Sequence, residues 1–247
     1  MADIKLKVLG SGDAFGTQGR FNTSFYVQAP STNFLIDCGA STLVALKKYK
    51  VDPNSIDAIV LTHFHGDHFG GVPFILLDAF IIQKRTKPLT IFSPSGGQEK
   101  IMTLMEALYP GTGHIFDNLD LKFATYIEDG AVQSGALKVQ AYPVIHSAPS
   151  LPHAVRVQVD NRTIAYSGDS EWTPNLTVAA DGADLFITEC NVFDQPVKAH
   201  LSYKELLENR DKLHCRRLAI THMGQEMFDN LDQVEIECLE DGMELEI

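Results

Sequence analysis

The 247 residues (27.3 kDa) are 45% hydrophobic and 21% charged, the balance of a globular chain with a sizeable core and length for one large domain or two small ones. Twenty Lys and Arg against 32 Asp and Glu leave a formal charge of −12. That sign argues against a surface that grips nucleic-acid backbones, but not against a small anionic substrate, because a bound cation outweighs the global charge locally. The most apolar run, Val72 to Ile82, is interrupted by Asp78 and falls short of the roughly 20 residues that a membrane span needs.

The chain opens with Ile4, Leu6 and Val8 alternating with polar neighbours, which predicts a strand over Ile4–Leu9 rather than a signal peptide. Strands follow at Ser24–Gln28 and Asn33–Asp37, then a helix over Ser41–Tyr49. Ile56–Thr62 reads as a buried strand that delivers the chain to His63. Val72–Lys84 is expected as a buried helix, Leu89–Phe92 as a strand, and Gln98–Leu108 as a helix closed by Tyr109-Pro110-Gly111. In the second half Leu121–Tyr126, Leu137–Pro143, Ala154–Val159 and Thr163–Ser167 are expected as strands, with Asp160-Asn161 as a hairpin turn. Asp184–Thr188 is a further buried strand. Ser202 and Glu205 form a capping-box pattern for a helix reaching about Leu213, and the strand Arg217–Thr221 ends at His222. Two apolar strands thus end in Thr-His, at Thr62-His63 and Thr221-His222. No linker-like segment interrupts the alternation, so 1–247 is expected to be one domain. The four cysteines are scattered without a C-x-x-C spacing and read as reduced core thiols, which with the missing targeting signal predicts a cytoplasmic protein.

The chemistry concentrates in Thr62-His63-Phe64-His65-Gly66-Asp67-His68, where three histidines and an aspartate fall within six positions directly after a buried strand. Imidazole suits zinc or iron and the carboxylate adds a harder oxygen ligand. On one short loop, His63 and His65 can converge on one ion while Asp67 and His68 turn toward a second.

This His-x-His-x-Asp-His segment after an apolar strand resembles the signature of the metallo-β-lactamase superfamily, and His146, Asp169 and His222 follow in the order that family uses. The resemblance implies an α+β fold, an αββα sandwich of two mixed β-sheets with helices on the outer faces. It also implies a dinuclear site: one metal on His63, His65 and His146, the other on Asp67, His68 and His222, with Asp169 bridging. Two divalent ions are therefore expected as cofactors, zinc first and manganese or iron as alternatives. Such a pair can share a hydroxide and hold a scissile ester's oxygens together.

Within the superfamily, Leu9-Gly10-Ser11-Gly12-Asp13-Ala14-Phe15-Gly16, Phe21-Asn22-Thr23-Ser24 and Asp37-Cys38-Gly39 resemble the N-terminal region of ribonuclease Z and related phosphodiesterases, as do Glu189-Cys190-Asn191 and His200-Leu201-Ser202. By that resemblance His200 is not a ligand but donates a proton to the leaving oxygen. Ribonuclease Z carries an extended arm for the tRNA elbow between the positions matching His146 and Asp169. Here only 22 residues separate them, room for a hairpin, and the small phosphodiesterases that open cyclic phosphates are the nearer likeness. Those carry an extra zinc on an N-terminal cysteine cluster, which this chain lacks between Gly10 and Tyr26.

The expected function is hydrolysis of a small phosphodiester or cyclic phosphate by a metal-bridging hydroxide, with Asp67 orienting the nucleophile and His200 protonating the leaving group. Other esters on the same site (lactone, thioester, aryl sulfate) and ribonuclease Z-like RNA processing are the alternatives. A mononuclear iron oxygenase is opposed by the full second ligand set of Asp67, His68 and His222, and a metal-free scaffold by the presence of all seven ligand candidates. The expected partner is a small anionic ester, with neither nucleic acid nor membrane, and the resemblance allows a homodimer. Gly10-Ser11-Gly12-Asp13-Ala14-Phe15-Gly16 is not G-x-G-x-x-G and reads as a tight turn. Among the remaining residues, His114 and His214 take no role, His153 is placed where it could touch substrate, and Glu189 either orients His200 or a ligand or simply ends a strand.

Overall fold

Strands that read as unbroken apolar runs need cover on both faces. The computed structural model, which describes residues 4–195 and 197–247, supplies that cover; of the domain expected over 1–247, positions 1–3 and 196 lie outside the described residues. The first half contributes β1 (Lys5–Gly10), β2 (Ser24–Gln28), β3 (Asn33–Ile36), β4 (Ala58–Val60), β5 (Leu89–Ser93) and β6 (Leu121–Thr125). There follow β7 (Ala131–Ser134), β8 (Leu137–Pro143), β9 (His153–Val159), β10 (Arg162–Tyr166), β11 (Leu185–Glu189), β12 (Leu218–Thr221), β13 (Glu237–Cys238) and β14 (Glu244–Glu246). They make two seven-stranded sheets, ordered β14-β1-β2-β3-β4-β5-β6 and β13-β12-β11-β10-β9-β8-β7. Both sheets are mixed. Strands β3 to β6 and β10 to β13 run parallel, and the others pair antiparallel.

The helices are α1 (Thr42–Lys48), α2 (Gly66–Phe69), α3 (Val72–Ile81), α4 (Gly97–Leu108), α5 (His114–Asn118), α6 (Pro174–Ala180), α7 (Tyr203–Asn209) and α8 (Gln225–Asp229). Because successive strand residues point to opposite faces, each sheet feeds two cores. Val8, Phe34, Ile36 and Val60 pack against Val139, Val157, Ile164 and Ile187 between the sheets. Leu35, Ile59 and Leu61 point the other way, onto Leu46 of α1, Leu76 of α3 and Ile101 of α4. On the far side Ala165, Phe186 and Ile220 meet Leu176 of α6 and Leu206 of α7. Three buried layers between four layers of structure give the αββα sandwich that the resemblance implies. No helix of the described residues is long and apolar enough to cross a membrane.

Most elements fall where hydrophobic periodicity places them, with shorter ends. The helix expected to Lys84 stops at Ile81, and Lys84 lies in the left-handed region (φ 49°). The helix expected to Leu213 stops at Asn209 and tightens into a 3₁₀ turn over Arg210–Lys212. Val159 pairs with Arg162 across Asp160-Asn161, so the expected hairpin turn is present. The elements that periodicity missed are short, lying at sheet edges or in helices of one or two turns: β7, β13, β14, α5, α6 and α8.

This topology decides where chemistry can occur. Asp37, His63, Asp169, Glu189 and His222 stand at or just beyond the C-terminal ends of β3, β4, β10, β11 and β12, all members of parallel pairs. In open parallel sheets that end is where ligands bind.

Candidate metal centre

The motif after β4 is not wholly a loop, as the sequence reading has it. His63 and His65 precede α2, while Asp67 and His68 lie on that single helical turn, whose last residues return their N–H groups to the carbonyls of His65 and Gly66. The turn is pressed against the segment after β3. Cys38 N–H donates to the His68 carbonyl (2.6 Å), and Gly71 N–H donates to the Cys38 carbonyl (2.8 Å). A Cβ on Gly39 would sit 2.0 Å from the Asp67 carbonyl oxygen, and one on Gly71 2.0 Å from that of Gly39, so this approach requires glycine at both positions.

The fold brings all seven expected ligands together in two overlapping sets: His63, His65, His146 and Asp169, and Asp67, His68, Asp169 and His222. Asp169 belongs to both. Its Oδ2 lies 3.8 Å from Nε2 of His63, 3.8 Å from Nε2 of His146 and 3.4 Å from Nε2 of His222, while Oδ1 lies 3.2 Å from Nε2 of His68. Oδ2 of Asp67 is also 3.2 Å from His68 Nε2, and His65 Nδ1 faces His146 Nε2 at 3.0 Å. Ligand atoms in a tetrahedral site with bonds of 2.0–2.1 Å stand about 3.3 Å apart, which is the scale of these separations.

Two further observations fit a cation. His63 Nε2, His68 Nε2 and Asp169 Oδ1 are buried without a hydrogen-bond partner, an arrangement that costs free energy unless something positive sits among them. Four of the imidazoles are also held from behind through the opposite nitrogen. His63 Nδ1 meets Thr62 Oγ1 (3.0 Å), and His68 Nδ1 donates to Asp37 Oδ2 (2.7 Å). His146 Nδ1 donates to the Ala199 carbonyl (2.7 Å), and His222 Nδ1 lies 3.4 Å from Thr23 Oγ1.

The electrostatics are those of a closed cluster. Burial alone would raise the Asp169 carboxyl, but the imidazoles of His222, His68 and His63 hold it well below the usual carboxylate range. Burial opposes charge on His68 too, yet the carboxylates of Asp169, Asp67 and Asp37 push its pKa well above the ordinary value. His63, buried and surrounded by other imidazoles, is driven the other way and stays neutral.

Asp37 is the residue to which the sequence reading gives no role, naming it only as the end of the strand Asn33–Asp37 and within Asp37-Cys38-Gly39. It is fully buried, adopts φ 58°, and besides His68 accepts from Thr62 N–H and Thr62 Oγ1, both at 2.7 Å. A carboxylate directly after the apolar strand Asn33–Ile36 was the available signal.

His200 lies beside the ligand sets without joining them. Its ring centroid is 5.0 Å from that of His146 and 5.8 Å from that of His222. Nδ1 bonds both oxygens of fully buried Glu189 (3.0 and 3.1 Å), which also accepts from Ser170 N–H (2.6 Å). Ser202 caps α7 through Glu205 N–H, so His200 lies outside the helix as the capping box predicts. Burial works against charge on His200, but the Glu189 carboxylate carries its pKa up to about 9. His153 turns away from the cluster into a cleft of about 580 Å³ beside Tyr126 and Tyr142, and His114 and His214 are exposed elsewhere. Between His146 and Asp169 the chain forms one 3₁₀ turn and the β9–β10 hairpin, with no extended arm.

Comparison with known proteins agrees with this architecture. A family model described as Anti-Pycsar protein Apyc1 matches residues 4–239. The ribonuclease Z of Methanococcus maripaludis (strain C6) is 30% identical over 153 residues, covering 62% of this chain and 49% of that protein. The chain thus spans about half the length of such curated relatives. Among solved structures, the metallo-β-lactamase fold protein YhfI from Bacillus subtilis superposes with TM-score 0.80 at 20% identity, covering all of both chains. A diphosphatase from the PhnP family superposes with TM-score 0.76 at 20% identity, covering 99% of this chain and 98% of that one.

Proposed function

The chain belongs to the Anti-Pycsar protein Apyc1 family, and from that premise and the geometry of the cluster we propose that it is a metal-dependent hydrolase of small phosphodiesters, cyclic phosphates included. The observation that carries this reading is the Asp169 carboxylate, set between two groups of imidazoles whose buried Nε2 atoms lack partners. In this reading His63, His65 and His146 would hold one divalent ion and Asp67, His68 and His222 the second, with Asp169, common to both sets, available to each. The donor set of nitrogen and carboxylate oxygen suits zinc, with manganese or iron as alternatives. When bound, the ions supply Lewis-acid charge and lower the pKa of a water molecule toward neutrality.

The chain's own residues do the rest. Asp67, at the edge of the cluster, accepts a hydrogen bond from the attacking water and orients it. His200 donates its proton to the departing oxygen, and Glu189 fixes the His200 ring and keeps it charged. The ribonuclease Z relative supports phosphodiester chemistry and would extend it to RNA. The −12 charge and the bare hairpin between His146 and Asp169 favour a small substrate over a polynucleotide.

The test is hydrolysis of bis(p-nitrophenyl) phosphate by zinc- or manganese-loaded protein, beside a lactone, a thioester and an aryl sulfate. Chelator-sensitive turnover of the diester alone is expected. A rate confined to another ester would overturn the substrate class.

Asp37 offers a second check on the ligand assignment. In Asp37→Asn the amide oxygen is needed by Thr62 N–H, which leaves the NH2 group opposite His68 Nδ1 where Oδ2 accepts its proton, so the ring is no longer held with Nε2 free. Outer partners of this kind are worth about 10–100-fold in metal affinity. Zinc competition against a chromophoric chelator should show a loss of that size. An unchanged affinity would remove His68 from the ligand set.

A further inference from the structure

Three chain segments reach the cluster, each carrying one of its chemical groups: Ile145-His146 after β8, Asp169-Ser170-Glu171 after β10, and Ala199-His200 between β11 and α7. A closed ring of hydrogen bonds ties the three together. Glu171 N–H donates to the Ile145 carbonyl (2.9 Å), His146 Nδ1 donates to the Ala199 carbonyl (2.7 Å), and Ala199 N–H donates to Glu171 Oε1 (2.7 Å). Two side chains take part. One is the candidate ligand His146, and the other is Glu171, which touches no ligand atom.

Ala199 is the member that needs holding. It adopts φ 74°, a left-handed conformation that a Cβ disfavours and that persists only where the surroundings over-determine it. Just before it Asp194, Gln195, Val197 and Lys198 are exposed and bury little, so the backbone at Ala199 is set by its two bonds. The next residue is His200. Glu189 fixes the His200 ring through Nδ1, and Glu171 fixes the backbone from which that ring springs. Without the Glu171 carboxylate, Ala199 is free to relax to negative φ. That change turns its carbonyl away from His146 Nδ1 and displaces the origin of the His200 side chain.

We propose that Glu171 is a positioning residue, whose carboxylate holds Ala199 in the left-handed conformation and through it sets both the His146 ring and the reach of His200. The His200 half rests on the phosphodiesterase reading above, and the His146 half on the ligand set alone. The role belongs to the hydrogen bond rather than to the charge, because Ala199 N–H is a neutral donor.

The experiment titrates zinc against a chromophoric chelator in wild type and variants, then measures kcat at saturating zinc on a diester with an alkoxide leaving group and on bis(p-nitrophenyl) phosphate. Glu171→Ala should weaken one of the two zinc ions by about tenfold, the lower range for an outer partner of a ligand imidazole, and leave the other within about twofold. It should also lose about tenfold more rate on the alkoxide diester, the substrate that needs the His200 proton. Glu171→Gln, whose amide oxygen still accepts from Ala199 N–H, should restore both readings. Ala199→Gly in the Glu171→Ala background should recover part of each, since glycine adopts positive φ without a Cβ penalty. Unchanged affinity for both ions in Glu171→Ala, equal weakening of both, a Glu171→Gln protein as impaired as Glu171→Ala, or a glycine that recovers nothing would overturn the proposal. Loss of one ion's affinity in Glu171→Ala, with no turnover of either diester by the wild type, would sink the phosphodiesterase reading and leave the tie to His146 standing.

Discussion

Removing divalent metal is expected to abolish diester hydrolysis and to lower the melting temperature by about 8–16 °C. The second figure follows from linkage: each of two ions held at about 30 times its dissociation constant adds roughly 2 kcal/mol, about 4 kcal/mol together, to a protein that binds them only when folded, and each kcal/mol moves a chain of this size by about 2–4 °C. The structure says why the gap should be large. Without ions, Nε2 of His63, Nε2 of His68 and Oδ1 of Asp169 remain buried and unpartnered, and four imidazoles crowd the single carboxylate of Asp169. The sign with pH is fixed as well. Ligand imidazoles must be neutral to bind, and in the metal-free protein His68 is pushed toward its charged form by Asp169, Asp67 and Asp37. Protons therefore compete with metal, and because the His68 pKa is raised, the difference between loaded and chelated protein should begin to shrink above the ordinary histidine range near 6.5 and shrink further as pH falls through it. Differential scanning calorimetry with metal analysis measures both quantities. A melting temperature that does not move on chelation, with fewer than two ions per chain in the loaded sample, would sink the dinuclear assignment.

The sandwich was legible because its central strands alternate between two cores. Leu35 and Ile59 face helices while Phe34, Ile36 and Val60 face the other sheet, so Phe34–Ile36 of β3 and all of β4 must be apolar. The candidate ligand set was legible for a different reason: His63, His65, Asp67 and His68 fall within six positions, and no bland use requires four such residues there. What escaped has physical causes. β14 reads Glu-Leu-Glu at a sheet edge, where one buried Leu245 satisfies the packing and leaves no pattern to find. The α2 turn is held by its contact with Cys38 and Gly39, a tertiary effect that no local propensity carries. Asp37 carries one carboxylate with no motif around it, and only the fold shows that it lies behind His68 rather than in solvent. Glu189 could be read as a strand end or as a partner of His200 until the two side chains were seen 3.0 Å apart.

His200→Ala should retain two ions per chain and lose about 10²–10⁴ in rate on a diester with an alkoxide leaving group, the usual worth of general acid catalysis. That range corresponds to about 3–5 kcal/mol of transition-state stabilisation at 1.36 kcal/mol per tenfold. On bis(p-nitrophenyl) phosphate the loss should be smaller, because p-nitrophenolate departs without needing a proton. The contrast between leaving groups separates a proton donor from a residue that merely shapes the site. Glu189 gives the argument a pH axis. Its carboxylate bonds His200 Nδ1 through both oxygens and raises the His200 pKa to about 9, so the acid stays protonated at neutral pH and is lost as pH rises through that folded-state value. Bound cations draw this limb downward, and Glu189→Gln, which removes the charge but keeps a hydrogen-bonding oxygen, draws it further toward the ordinary histidine value. The alkaline fall in kcat/KM for the alkoxide substrate should therefore move to lower pH in Glu189→Gln, and His200→Ala should erase it. If His200→Ala loses metal together with activity, or slows both leaving groups equally, His200 is a structural neighbour of His146 and His222, and the proton must come from elsewhere.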